Sequence, residues 1–137
     1  MLNTCVPFLD VTDLHFIGYY IKRELVFYAD VLSHPSLNRY FLQVEREERR
    51  KVYEHTGRQL DWLVTELDVY LKKIEGGILI RTVLDVEKGA LYYYLVDTDV
   101  HIIGVTLIQS SVDATDQKMT KVVDAIRGEP YAFNRHR

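Results

Sequence analysis

The stretch Val11–Leu32, VTDLHFIGYYIKRELVFYADVL, decides how this chain begins. Leu14, Ile17, Ile21, Leu25, Tyr28 and Leu32 recur at steps of three and four, the spacing of one helical face, and predict a helix. Asp10 or Thr12 supplies a side-chain oxygen for the unpaired amides of its first turn. A second set, Phe16, Tyr20, Phe27 and Val31, widens the apolar surface until only His15, Lys22, Arg23, Asp30 and their neighbours remain polar. The predicted helix is therefore central or lies in an interface.

Ser33, His34 and Pro35 end that element, because proline disfavours a helical residue before it and suits the first turn of the next helix. From Ser36 to Glu75 the residues Leu37, Phe41, Val44, Val52, Thr56, Leu60, Leu63, Leu67, Tyr70 and Ile74 keep helical register. A straight helix of that length spans about 60 Å at ~1.5 Å per residue, against a diameter of roughly 35–40 Å for a compact domain of this size. The helix must overhang or break, either in the charged run 45–51, EREERRK, or at Gly57. Val52–Ile74 fits the globule, with Leu60, Leu63, Leu67 and Tyr70 predicted to turn inward. In the charged run, Glu45 with Arg49 and Glu47 with Lys51 are four apart in the favourable order, which supports a solvated helical surface. Its interleaved signs argue against a phosphate-binding stripe.

Gly76-Gly77 closes the helical half, and the period then changes to two. Strands are predicted over 78–86, 90–96 and 100–108, joined by the turns Glu87-Lys88-Gly89 and Asp97-Thr98-Asp99 into an antiparallel meander. Asp113 or Thr115 caps a last helix lined by Met119, Val122, Val123 and Ile126 and ended by Gly128. The tail Glu129–Arg137 follows, with Tyr131 and Phe133 as its aromatics. The predicted fold class is α+β, a single domain over 1–137: two N-terminal helices, the second long, a three-stranded antiparallel meander and a C-terminal helix.

Composition agrees with one packed domain, since 137 residues with 47% hydrophobic content, 7 Gly and 3 Pro are neither disordered nor fibrous. Seventeen Lys and Arg against twenty Asp and Glu leave a net charge of -3, which argues against broad nucleic-acid binding. The lone Cys5 cannot form an intramolecular disulfide, so a reducing, cytoplasmic setting is expected. Met1–Asp10 lacks the pattern of a signal peptide. The densest apolar stretch, 14–32, is interrupted by His15, Lys22, Arg23, Glu24 and Asp30, so no membrane span is expected.

Sequence motifs for chemistry are sparse. There is no HExxH, paired CxxC or EF-hand loop, no GxSxG or SxxK, and no glycine-rich loop opening a helix. Asp13 and His15 diverge by about 200° on the predicted helix, which makes joint metal coordination awkward. No catalytic residue, metal or cofactor is therefore assigned. The side chains singled out for an interface or a pocket are Trp62, Tyr92, Tyr93, Tyr94 and His101, because tyrosine and tryptophan concentrate at interfaces and a histidine in an apolar strand has a displaced pKa. They support a non-enzymatic interaction or adaptor module whose partner is a second copy of the chain or a different protein. The alternative is a small-molecule binder or minor enzyme with a tyrosine-lined pocket between sheet and helices.

Overall fold

In the computed structural model, which describes residues 2–128, the stretch Val11–Leu32 is not a helix. A short helix α1 (Leu2–Cys5) leads into a β-hairpin of β1 (Phe16–Ile21) and β2 (Glu24–Asp30). The steps of three and four arise across two strands. Ile17 packs in one core and Leu25 against the other, so no single apolar face existed. What decides the conformation is side-chain type: Phe16, Ile17, Tyr19, Tyr20, Ile21, Val26, Phe27 and Tyr28 are β-branched or aromatic, which lose rotamer freedom in a helix and pack well on a pleated surface. The turn carries no glycine or asparagine to announce it. Lys22 and Arg23 occupy it themselves, with φ of 50° and 67°, a left-handed pair that side chains with a Cβ rarely adopt.

The next helix also starts elsewhere. Pro35–Phe41 form a 3-10 segment, and α2 runs from Arg46 to Lys73. The long periodic segment thus breaks just before the charged run, which forms the first turns of α2. Its arginines do more than face water. Arg46 donates to the carbonyl of Leu32 at 2.6 Å, Arg49 to that of Tyr40 at 2.8 Å, and Arg50 to both carboxylate oxygens of Asp30 at 2.8 and 3.0 Å. Gly57 does not interrupt the helix, which runs on from Arg46 to Lys73. A Cβ there would lie 2.5 Å from Cζ and 2.8 Å from Cε1 of Tyr20, so glycine is what lets α2 close on the sheet.

Strands β3 (Arg81–Val86), β4 (Gly89–Asp97) and β5 (Val100–Thr106) follow, then α3 (Val112–Arg127), which ends at Gly128 with φ 73°. The sheet is five-stranded and antiparallel in the order β2-β1-β5-β4-β3, because β1 pairs with β5 through registers such as Tyr20 with His101 and Gly18 with Ile103. The predicted three-stranded sheet behind two N-terminal helices is thereby corrected to an α+β fold with five strands and three α-helices among the described residues. One sheet face carries Phe16, Tyr20, Tyr93, Leu95, Ile103 and Val105 and buries them against Tyr53, Leu60 and Val64 of α2. The other carries Ile17, Tyr92, Tyr94 and Ile102 beneath Cys5 of α1 and Met119, Val122 and Val123 of α3. The expected tail Glu129–Arg137 lies outside the described residues, and no helix among the described residues is long and apolar enough to cross a membrane.

Candidate functional site

Helix α2 meets the sheet along one seam, Tyr53, Gly57, Leu60 and Val64, spaced four, three and four apart. At 100° per residue, the positions just before seam residues form one flank and those just after form the other. The first flank carries Val52, Leu63, Leu67, Tyr70 and Ile74, between 39% and 74% exposed. Three of the four residues predicted to turn inward lie on this flank, and the fourth, Leu60, lies on the seam. Only Leu60 of the four is buried; Leu63, Leu67 and Tyr70 face outward. The sheet beside α2 is thinly covered too, since Leu84 of β3 and Leu91 of β4, paired in register on the α2 side, are only half-buried. Strand β3 is an edge strand of the sheet among the described residues, and Ile80 just before it and Val86 at its end are exposed.

The two sheet edges are built differently. On β2 the pairing with β1 slips by a residue at Tyr19/Tyr20, Asp30 is held by Arg50, and Glu24 lies 3.9 Å from Arg58. A bulge and charged partners of this kind blunt an edge against further pairing. On β3 the six residues pair with β4 without a slip, leaving a straight edge.

The second flank of α2 carries Asp61, Thr65 and Asp68. Asp61 is a hub: Arg23 Nε donates to Oδ2 at 2.7 Å, and Tyr93 donates its hydroxyl to Oδ1 at 2.6 Å. Arg23 also donates to Thr65 at 2.8 Å, and its guanidinium lies 3.8 Å over the ring of Trp62. These contacts hold the left-handed Lys22-Arg23 turn in place, together with Lys22 N–H to Asp99 O at 2.8 Å and Arg58 Nε to Arg23 O at 3.0 Å. His101 is buried beneath α2 with its ring stacked between Tyr20 and Tyr93, at centroid distances of 4.5 and 5.0 Å. Its Nε2 donates to the carbonyl of Gly57 at 3.0 Å, so in the neutral ring Nδ1 is the unprotonated nitrogen, 3.7 Å from Asp61. Burial lowers its pKa, opposed by Asp61 and the Gly57 hydrogen bond.

The three tyrosines of the aromatic strand are all buried by the chain's own helices. Tyr92 donates to Val112 O at 2.7 Å. Tyr94 donates to Asp116 Oδ1 at 2.5 Å, and its pKa is pushed up to about 12, first by burial and then by Asp116. Tyr93 and His101 thus come together at Asp61, Tyr92 and Tyr94 lie beneath α3, and Trp62 stands half-exposed on the outside of α2. Asp13 and His15 part company: Asp13 takes Lys118 at 2.7 Å, while the buried His15 donates to Val11 O at 2.9 Å and accepts the Leu107 N–H at 2.9 Å. Among the described residues no three His, Cys, Asp or Glu side chains converge as metal ligands do. Sequence reasoning does not single out Lys22, Arg23 and Asp61 as a group, because the only local signal is two charged residues interrupting an apolar run.

Between this flank of α2 and the β1–β2 and β4–β5 turns lies an open cleft of about 360 Å³. Lys22, Arg23, Asp61, Thr65, Asp68, Thr98 and Asp99 supply its polar lining, and Val64, Ile78, Leu79, Leu95 and Tyr93 the rest.

No family model matches the chain, and no curated protein matches it. Solved structures do. The chain superposes on Myxococcus xanthus MglB with a TM-score of 0.65 at 12% identity, over 92% of this chain and 90% of that one. The fold is that of the MglB proteins. The gliding protein MglB of Thermus thermophilus matches with a TM-score of 0.62 at 9% identity, covering 84% of this chain and 76% of that one. A structure described as MglB with a tetrameric arrangement gives 0.61 at 9% identity over the same shares. At such identities the MglB likeness establishes architecture and leaves activity to the residues.

Proposed function

We propose that this chain is a non-enzymatic interaction module that self-associates through the Val52–Ile74 flank of α2 and the neighbouring edge strand β3. The observation that carries this reading is the stripe itself: five large apolar side chains at helical spacing, between 39% and 74% exposed, beside a sheet face left half-covered. A stripe of that kind on a water-facing helix marks an interface, since an ordinary solvated flank is polar. The β3 edge pairs with β4 without a slip, while the β2 edge is bulged and tied down. One of the structures with this fold is described as having a tetrameric arrangement, which supports assembly as a use of the architecture.

A tyrosine-lined pocket has less support, because of the three only Tyr93 borders the cleft and Tyr92, Tyr93 and Tyr94 are each at most 1% exposed. Their hydroxyls are already bonded to α2 and α3 or to the start of α3. Light scattering coupled to gel filtration at micromolar concentration tests the proposal. The wild-type chain is expected at twice its 16.1 kDa or more. Leu67→Lys combined with Tyr70→Glu is expected at the monomer mass with its circular dichroism unchanged, because a charge in an interface core costs several kcal/mol but little once that face is wet. A wild-type monomer, or a double variant that still associates, overturns it.

A further inference from the structure

The cleft lies on the other flank of α2 from the apolar stripe, since Asp61, Thr65 and Asp68 follow the seam residues and the stripe precedes them. We propose that this cleft binds a small zwitterion with excess positive charge, of the class of a basic α-amino acid. This inference does not rest on self-association.

The argument is one of charge and shape. Five ionised groups line the cleft, of which Asp61 and Arg23 neutralise each other at 2.7 Å. Three remain: the ammonium of Lys22 and the carboxylates of Asp68 and Asp99. Lys22 and Asp99 make no side-chain hydrogen bond or ion pair with another described residue, although their backbones are joined at 2.8 Å. Asp68 uses one oxygen, Oδ1, to accept the Leu79 N–H at 2.7 Å, and keeps the other. One cation and two anions call for a ligand with one carboxylate and two cationic groups. Lys22 takes the carboxylate, and Asp68 and Asp99 take the α-ammonium and the side-chain cation in charge-assisted hydrogen bonds. Val64, Leu79 and Leu95 floor the cleft with apolar surface of the kind that an aliphatic stem covers. The volume of about 360 Å³ lies at the small end of ligand sites.

The turn that forms the rim fits this reading. Lys22 and Arg23 both sit at positive φ, a strained choice held by contacts of Arg23 to Asp61, Thr65 and Trp62. The arrangement fixes Lys22 at the mouth of the cleft, and strain of this sort is kept where the surrounding structure over-determines it.

The test uses L-arginine as probe, followed by backbone-amide NMR on the intact chain, with agmatine (no carboxylate) and L-citrulline (no guanidinium charge) as comparisons. L-arginine is expected to shift the amides of Lys22, Thr65, Thr98 and Asp99 saturably. Agmatine and L-citrulline are expected to bind at least about tenfold more weakly, the loss that follows one charge-assisted contact. Lys22→Ala and Asp99→Asn should each weaken L-arginine by the same factor while leaving the melting temperature in place, since both side chains are exposed. Asp68→Asn keeps an acceptor for Leu79 and should do likewise. The proposal is overturned by the absence of a saturable shift up to the solubility of L-arginine, by agmatine or citrulline binding as tightly, or by variants that bind unchanged.

Discussion

Replacing Gly57 by Ala separates two accounts of the same residue by the sign of the effect. If Gly57 were a tolerated flaw in α2, alanine would stabilise the helix by about 1 kcal/mol. The structure requires the opposite. A Cβ at position 57 stands 2.5 Å from Cζ and 2.8 Å from Cε1 of Tyr20, and closer still to its hydroxyl oxygen. Tyr20 has nowhere to go: it is fully buried, its ring stacks on His101 at 4.5 Å, and its hydroxyl donates to Glu54 O at 2.7 Å. Overpacking costs about 1–3 kcal/mol, and a broken buried hydrogen bond adds about 1–3 kcal/mol. Set against the propensity gain, Gly57→Ala should destabilise the fold by about 1–5 kcal/mol, read as a lower midpoint in urea at an unchanged slope. Tyr20→Phe alone should cost about 1 kcal/mol. The double variant should show coupling, because removing the hydroxyl relieves the closest contact of the new methyl group. A Gly57→Ala chain that melts higher than wild type would refute the close-packing argument.

Leu60 and Leu63 are three residues apart on α2 but face different surroundings, 6% against 47% exposed. Leu60→Ala should cost about 2–5 kcal/mol of folding stability, whereas Leu63→Ala should cost under about 1 kcal/mol in the monomer and weaken association instead. Arg50→Ala should destabilise by about 3–5 kcal/mol in chemical denaturation, because it strands the carboxylate of Asp30, whose side chain is 7% exposed. Burial lowers the pKa of both His15 and His101. The unfolded chain therefore takes up protons first, near the ordinary value of about 6.5, and stability is lost as pH falls below it. Urea midpoints at pH 7.5 and 5.5 should differ in that direction, by at most about 1.4 kcal/mol per histidine per pH unit; a flat profile would count against both buried neutral rings.

What could be read from residues alone depended on how local the deciding interaction is. The three later strands and the terminal helix announced themselves, since the alternation in 81–86, the β-branched and aromatic runs in 89–97 and 100–106 with the turns between them, and the glycine after Arg127 are local signals. The first hairpin did not. Its turn is made by Lys22 and Arg23 at positive φ, held by Asp61 and Thr65 nearly forty residues away, and no local rule predicts a left-handed lysine. The candidate cleft was hidden for the same reason: its charged residues come from two turns and a helix that only the β1–β5 pairing brings to one end of the sheet.

The α2 stripe shows the boundary between the two kinds of information. Periodicity in Val52, Leu60, Leu63, Leu67, Tyr70 and Ile74 determined that a helix forms there and that one side of it is apolar, because side-chain direction follows from 100° per residue whatever lies opposite. It did not determine what covers that side. Gly57 admits the ring of Tyr20 and sets the seam, and that turns Leu60 into the core and leaves Leu63, Leu67 and Tyr70 on the surface. The rotation of a helix about its own axis is decided by the closest approach it can make to its neighbours, a tertiary quantity that composition and spacing do not contain.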